Sequence, residues 1–122
     1  MLFRSQNNPG CFAPLGMEDG SITDVQVSSS SRLDDSHSPS QARLNFKEVE
    51  NKAGGWSAQP NDENPWLQVD LGSYTRVRRV ATQGLNAKDE WVTKYKLQFS
   101  DDGKNFQNYK QQGDNEWTVC LS

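Results

Sequence analysis

Pro65-Trp66-Leu67-Gln68-Val69-Asp70-Leu71-Gly72 decides how the chain is read. Leu67, Val69 and Leu71 alternate with Gln68 and Asp70, the period of a β-strand with one buried face. Pro65 ends a polar loop and Gly72 opens a turn. Downstream, residues 75–82 form a second run with a disturbed alternation, in which Val77 and Val80 share a face only across a bulge. Residues 91–100 alternate cleanly, with Thr93, Tyr95, Leu97 and Phe99 on one face and Lys94, Lys96 and Gln98 on the other. They run into Asp102-Gly103, a hairpin signal. Phe106 and Tyr109 begin the return strand, and a last strand starts near Trp117. Upstream, residues 22–28 place Val25 and Val27 on one strand face. No stretch has a helical period, and Ser38-Pro39 predicts a single helical turn through Arg43. Short strands between turn signals predict an all-β antiparallel sandwich or barrel.

The 122 residues amount to one domain. Apolar residues are 33 %, low for a globular chain, but four Trp, five Phe and three Tyr supply large buried areas for a small core. The net charge of −3 is spread among interspersed acids and bases, leaving no basic stripe for nucleic acid and no polybasic membrane patch. No run reaches transmembrane length. Residues 1–10 lack the apolar run of a signal peptide and read as a flexible lead-in. Cys11 and Cys120 have none of the close pairing of a zinc site. In a secreted domain they close the chain as a disulfide, in a cytosolic one they are two thiols, and composition favours neither.

Three polar connections interrupt the strands. The first holds Ser28 to Ser31, Arg32, Leu33, Asp34, Asp35 and His37; loops of such length and polarity are functional or disordered. The second carries Gly54-Gly55-Trp56 and the run Gln59 to Asn64, its tryptophan placed as an anchor onto the core. The third is Gly84 to Glu90. A lone His37 in a Ser/Asp loop reads as a solvated surface residue. The loop carboxylates have the composition of a glycosidase pair or of calcium ligands, but solvated loop charge is the favoured reading. Arg76, Arg78 and Arg79 read as a solvated basic face that discourages edge aggregation. No nucleophile elbow or metalloprotease motif occurs, so nothing points to an enzyme or to a cofactor.

Several of these pieces, in order and spacing, resemble the discoidin, or F5/8 type C, family. They are Cys11 followed by Pro14 to Ile22, Gln41 to Asn45, Gly55-Trp56, Trp66 to Gly72, Val80 to Gly84, and Trp91 through Gly103. The resemblance implies a discoidin-like (galactose-binding-like) jelly-roll β-sandwich of extracellular proteins, occupying residues 11–122 as a partial domain. The family's closing strands are expected to be missing. It implies non-catalytic binding of phospholipid head groups, glycans, collagen or other proteins through three end loops. These map onto Ser30–Gln41, Ser57–Asn64 and Leu85–Glu90, the same polar loops found from the residues alone. It also implies a disulfide at Cys11 whose usual partner this chain does not supply. Cys120 stands where the family has a mid-domain strand residue, and no Cys11–Cys120 bond is expected.

The expected function is therefore an extracellular, secreted or cell-surface adhesion module that recognises a glycan or a matrix or cell-surface protein. Arg32, Asp34, Asp35, Asn61, Asp62, Asn86 and Lys88 are the candidate contacts, with Trp56 as the support beneath them. Leu33 is the sole large apolar residue of the first loop and the candidate membrane contact. Burying one leucine yields about 1.5–3 kcal/mol, too little for anchoring, so membrane lipid is not favoured. The alternatives are a carbohydrate-binding module appended to a secreted enzyme and an anionic-phospholipid-binding module.

Overall fold

The computed structural model describes residues 2–5 and 14–109, and all statements below concern them. Six short strands occur: β1 (Leu2–Ser5), β2 (Val27–Ser29), β3 (Leu67–Val69), β4 (Val77–Ala81), β5 (Gln98–Phe99) and β6 (Gln107–Asn108). They pair antiparallel as three two-stranded sheets, β1 with β4, β2 with β3 and β5 with β6. No α-helix is present among these residues; two 3₁₀ turns, Asp24–Gln26 and Pro39–Gln41, are the helical content. The architecture is all-β, as the alternation predicts, with small sheets and partial pairing. Cys11, Cys120 and the strand expected near Trp117 lie outside the described residues. Leu2–Ser5, within the expected lead-in, pair with β4.

The core forms where the period-two pattern places it. Met17, Ile22 and Val27 are buried, and Leu15, Leu67, Val69, Leu71, Val77 and Val80 pack around them. Val77 and Val80 reach one core because the register against β1 shifts between Arg4 and Ser5, the irregularity that their odd spacing requires. Met17 enters through a closed loop: Gly16 adopts φ 119°, and its carbonyl accepts the Ile22 N–H at 2.9 Å. A Cβ at Gly16 would lie 2.9 Å from the Ile22 nitrogen, so the turn needs glycine for both conformation and space.

Two strand expectations are corrected. Residues 22–28 are not one strand, because Thr23 and Gln26 close a 3₁₀ turn first. The Gln26 Oε1 accepts the Thr23 N–H at 2.9 Å, and the Gln26 N–H bonds the Thr23 carbonyl at 3.0 Å. This local capping offsets the β-propensity of Val25, which stands 92 % exposed instead of joining the face of Val27. Residues 91–100 are strand only at Gln98–Phe99. A strand is held by its ladder, and β6 gives partners to those two residues, with the Tyr109 N–H reaching the Leu97 carbonyl at 2.8 Å. The Asp102-Gly103 hairpin is present, with Gly103 at φ 71°.

Candidate functional site

β2 and β3 pair with Ser29 opposite Leu67, so the loop leaving β2 and the loop entering β3 stand at the same end. The first loop begins at Ser30, whose N–H bonds the Trp66 carbonyl at 3.0 Å, and returns through the 3₁₀ turn at Pro39–Gln41. Ser38 caps that turn, as its Ser-Pro start predicts, and the Gln41 side chain closes it: Gln41 Oε1 accepts from the Ser38 hydroxyl at 3.1 Å. Gln41 is itself buried, and its amide nitrogen donates to the carbonyls of Ser36 and Ala53. The Ala53 N–H returns to the Ser36 carbonyl at 2.8 Å. The root of the first loop is thus sewn to the segment before Trp56.

The second loop is joined to the first by side chains. The Ser30 and Ser31 hydroxyls both donate to Asp62 Oδ2 at 2.6 Å. The Leu33 N–H bonds the Ser57 carbonyl at 2.8 Å, and the Gln59 N–H bonds the Ser31 hydroxyl at 3.1 Å. Trp56 is half-buried, and its indole N–H donates to the Ser31 carbonyl at 2.8 Å, beneath the first loop. The third loop closes on itself through the Leu85 N–H and the Glu90 carbonyl at 2.8 Å. It is anchored by Asn86, whose side-chain oxygen accepts the Glu48 N–H at 2.9 Å while its backbone bridges Gly54. All three loops therefore meet on the segment 48–57.

This geometry sorts the candidate contacts. Asp34, Asp62 and Asn86 hold loop structure with their side chains. Arg32 and Asp35 pair with each other at 3.1 Å in solvent, where the pair adds little stability. Leu33 is 44 % exposed, and Asn61 and Lys88 are exposed. Beside the third loop's anchor lies an open groove of ≈ 550 Å³, with Glu18, Arg43, Phe46, Lys47 and Lys52 among its lining. Among the described residues no group of His, Cys, Asp and Glu is arranged to hold a metal ion.

His37 is not the solvated residue its loop suggested. It is 8 % exposed, and its Nδ1 lies 2.7 Å from Asp34 Oδ1, which also accepts the Ser36 hydroxyl at 2.6 Å. The carboxylate accepts only, so Nδ1 carries the proton and donates. The Ser36 hydroxyl, then the His37 imidazole, hold the Asp34 carboxyl down at about 2. The three residue types of a hydrolase triad are adjacent, but both donors converge on the carboxylate. A nucleophilic relay needs the hydroxyl on the imidazole face opposite the acid. Here the arrangement caps a loop. The pairing of Ser30 and Ser31 with Asp62 spans 32 and 31 residues and left no signal in the sequence.

An all-β body whose three polar loops are braced onto one segment has the arrangement of a recognition scaffold, in which a sheet framework positions loops. Comparison with protein-family profiles matches the F5/8 type C domain over residues 26–119, and the chain belongs to that family. Discoidin domains are generally non-catalytic modules that bind glycans, lipids or proteins, and they typically occur in extracellular or secreted proteins.

Proposed function

We propose that the protein is an extracellular adhesion or recognition module that takes a glycan, or a matrix or cell-surface protein, through its three end loops. The observation that carries this reading is the bracing of the loops onto the common segment 48–57. Prior ordering lowers the entropy cost of binding. Arg32, Leu33, Asn61 and Lys88 are exposed and of mixed polarity, and as the rim of the proposed site they suit hydrogen bonding with a saccharide or a polar protein surface. Asp34 and Asp62 remain ionised below this rim, and Asp35 and Glu63 add further negative charge, which disfavours an anionic bilayer.

The test is parallel binding to a glycan array, collagen and phosphatidylserine vesicles, with and without calcium. Binding in the glycan or matrix arm, weakened by Arg32→Ala or Asn61→Ala, is the expected result. Tight vesicle binding at physiological salt, lost on Leu33→Ala, would overturn it in favour of a membrane role.

A further inference from the structure

We propose that Asp62 is a positioning residue: through the Ser30 and Ser31 hydroxyls its carboxylate sets the conformation in which the first loop presents Arg32 and Leu33. The functional meaning of this brace rests on reading the three loops as the binding end. Two donors from adjacent residues converge on one oxygen, Oδ2, at 2.6 Å each. The other oxygen, Oδ1, accepts the Asn64 N–H at 3.2 Å, which fixes the carboxylate within its own loop. Each serine hydroxyl gives its single proton to Asp62 and takes a backbone N–H with a lone pair. Ser30 accepts from Trp66 at 2.9 Å, and Ser31 accepts from Gln59 at 3.1 Å.

Two relays therefore run from backbone N–H through hydroxyl to carboxylate, and both end on the same group. An anion strengthens each of these bonds, since charge-assisted hydrogen bonds are roughly twice as strong as neutral ones. The Ser31 carbonyl is held independently by the Trp56 indole at 2.8 Å and the Ser29 hydroxyl at 2.9 Å. Ser31 is thus gripped at both its carbonyl and its side chain. The next residue is Arg32, and the one after it is Leu33, whose N–H is tied to Ser57. An asparagine at position 62 keeps the shape but removes the charge and replaces one acceptor oxygen with a donor, so it cannot accept from both the serine pair and the Asn64 N–H.

Amide hydrogen exchange followed by NMR on the whole protein reads this brace without any ligand. Asp62→Asn, and separately Ser30→Ala/Ser31→Ala, should speed exchange at the Leu33 and Gln59 amides by about ten- to a hundredfold, the range for losing a charge-assisted bond. Two control amides should keep their rates: Asp70, bonded to the Gln26 carbonyl, and Val49, bonded to the Lys52 carbonyl. If Asp62→Asn does not fold, the serine variant, which keeps the charge, decides alone and is read at Leu33, because Ser31→Ala itself removes the Gln59 acceptor. Unchanged rates at Leu33 and Gln59, or equal acceleration at every amide, would overturn the proposal. A glycan array without binders would count against the adhesion reading and leave the exchange result standing.

Discussion

Arg43 shows how much of this molecule can depend on one side chain. Its guanidinium donates to the Met17 and Ile22 carbonyls at 2.8 Å, to the Ser40 carbonyl at 2.9 Å and to the Asp24 carboxylate at 2.6 Å. The planar fork joins the closed loop around Met17 to the returning first loop, and a single ammonium cannot reproduce it. Arg43→Met should cost about 1–3 kcal/mol for each buried carbonyl left without a donor, a large share of a small domain's stability. Urea denaturation would show this as a lower midpoint, with Arg43→Lys recovering only part. Asp34 gives a pH prediction. Its pKa is lowered from 3.8 to about 2, so the carboxylate favours the folded state. That contribution is fully present above 3.8 and is lost as pH falls through about 2. An NMR titration should place the Asp34 carboxyl midpoint near 2, and Ser36→Ala should raise it. A midpoint at the ordinary aspartate value would contradict the loop-cap geometry.

At the scale of elements, the same device appears twice. Thr23 to Gln26 and Ser38 to Gln41 are each a hydroxyl residue followed three positions later by glutamine, closing a 3₁₀ turn. In both, the glutamine amide then reaches a distant carbonyl, Asp70 at 2.7 Å for Gln26 and Ala53 at 2.8 Å for Gln41. One turn pins the base of the β2–β3 ribbon and the other pins the root of the first loop. The third loop is attached by close backbone approach instead. A Cβ on Gly54 would lie 2.8 Å from the Asn86 nitrogen and closer still to the Asn86 Cβ. Gly54→Ala should therefore push the third loop away, at about 1–3 kcal/mol of overpacking. The expected signature is faster exchange of the Glu48 amide, which Asn86 accepts, with the Leu33 amide unaffected. Acceleration at both would mean that the first and third loops move together.

Across the whole molecule, the fully enclosed apolar core is small, formed by Met17, Ile22 and Val27. Among the described residues several large apolar side chains are exposed: Trp91 is 58 % exposed, Phe99 54 % and Tyr109 47 %. Where such side chains form one contiguous patch, they mark an interaction or aggregation surface. The native protein should bind an environment-sensitive naphthalene sulfonate dye before any thermal transition. Phe99→Ser should reduce that signal while shifting stability by less than about 1 kcal/mol, since little burial is lost. An unchanged dye signal would place the apolar surface elsewhere.

The strand around Leu67 to Leu71, the bulge between Val77 and Val80, the hairpin at Asp102-Gly103 and the positions of the three polar loops were all legible in the sequence. Each follows from side-chain period or turn chemistry, which act over a few residues. The turn at Thr23 to Gln26 is also local, but the strand-favouring Ile22, Thr23, Val25 and Val27 around it mask the capping pattern. The fate of the loop charges was not legible. Asp34 and Asp62 have the composition of ligand contacts, yet a local loop cap engages Asp34 with Ser36 and His37, and tertiary structure brings Asp62 onto Ser30 and Ser31. Sequence by itself determined which segments alternate and which are polar. Tertiary structure alone decided which polar groups stay exposed and which brace one loop to another, because a carboxylate's role depends on the donors that the fold brings within hydrogen-bonding distance.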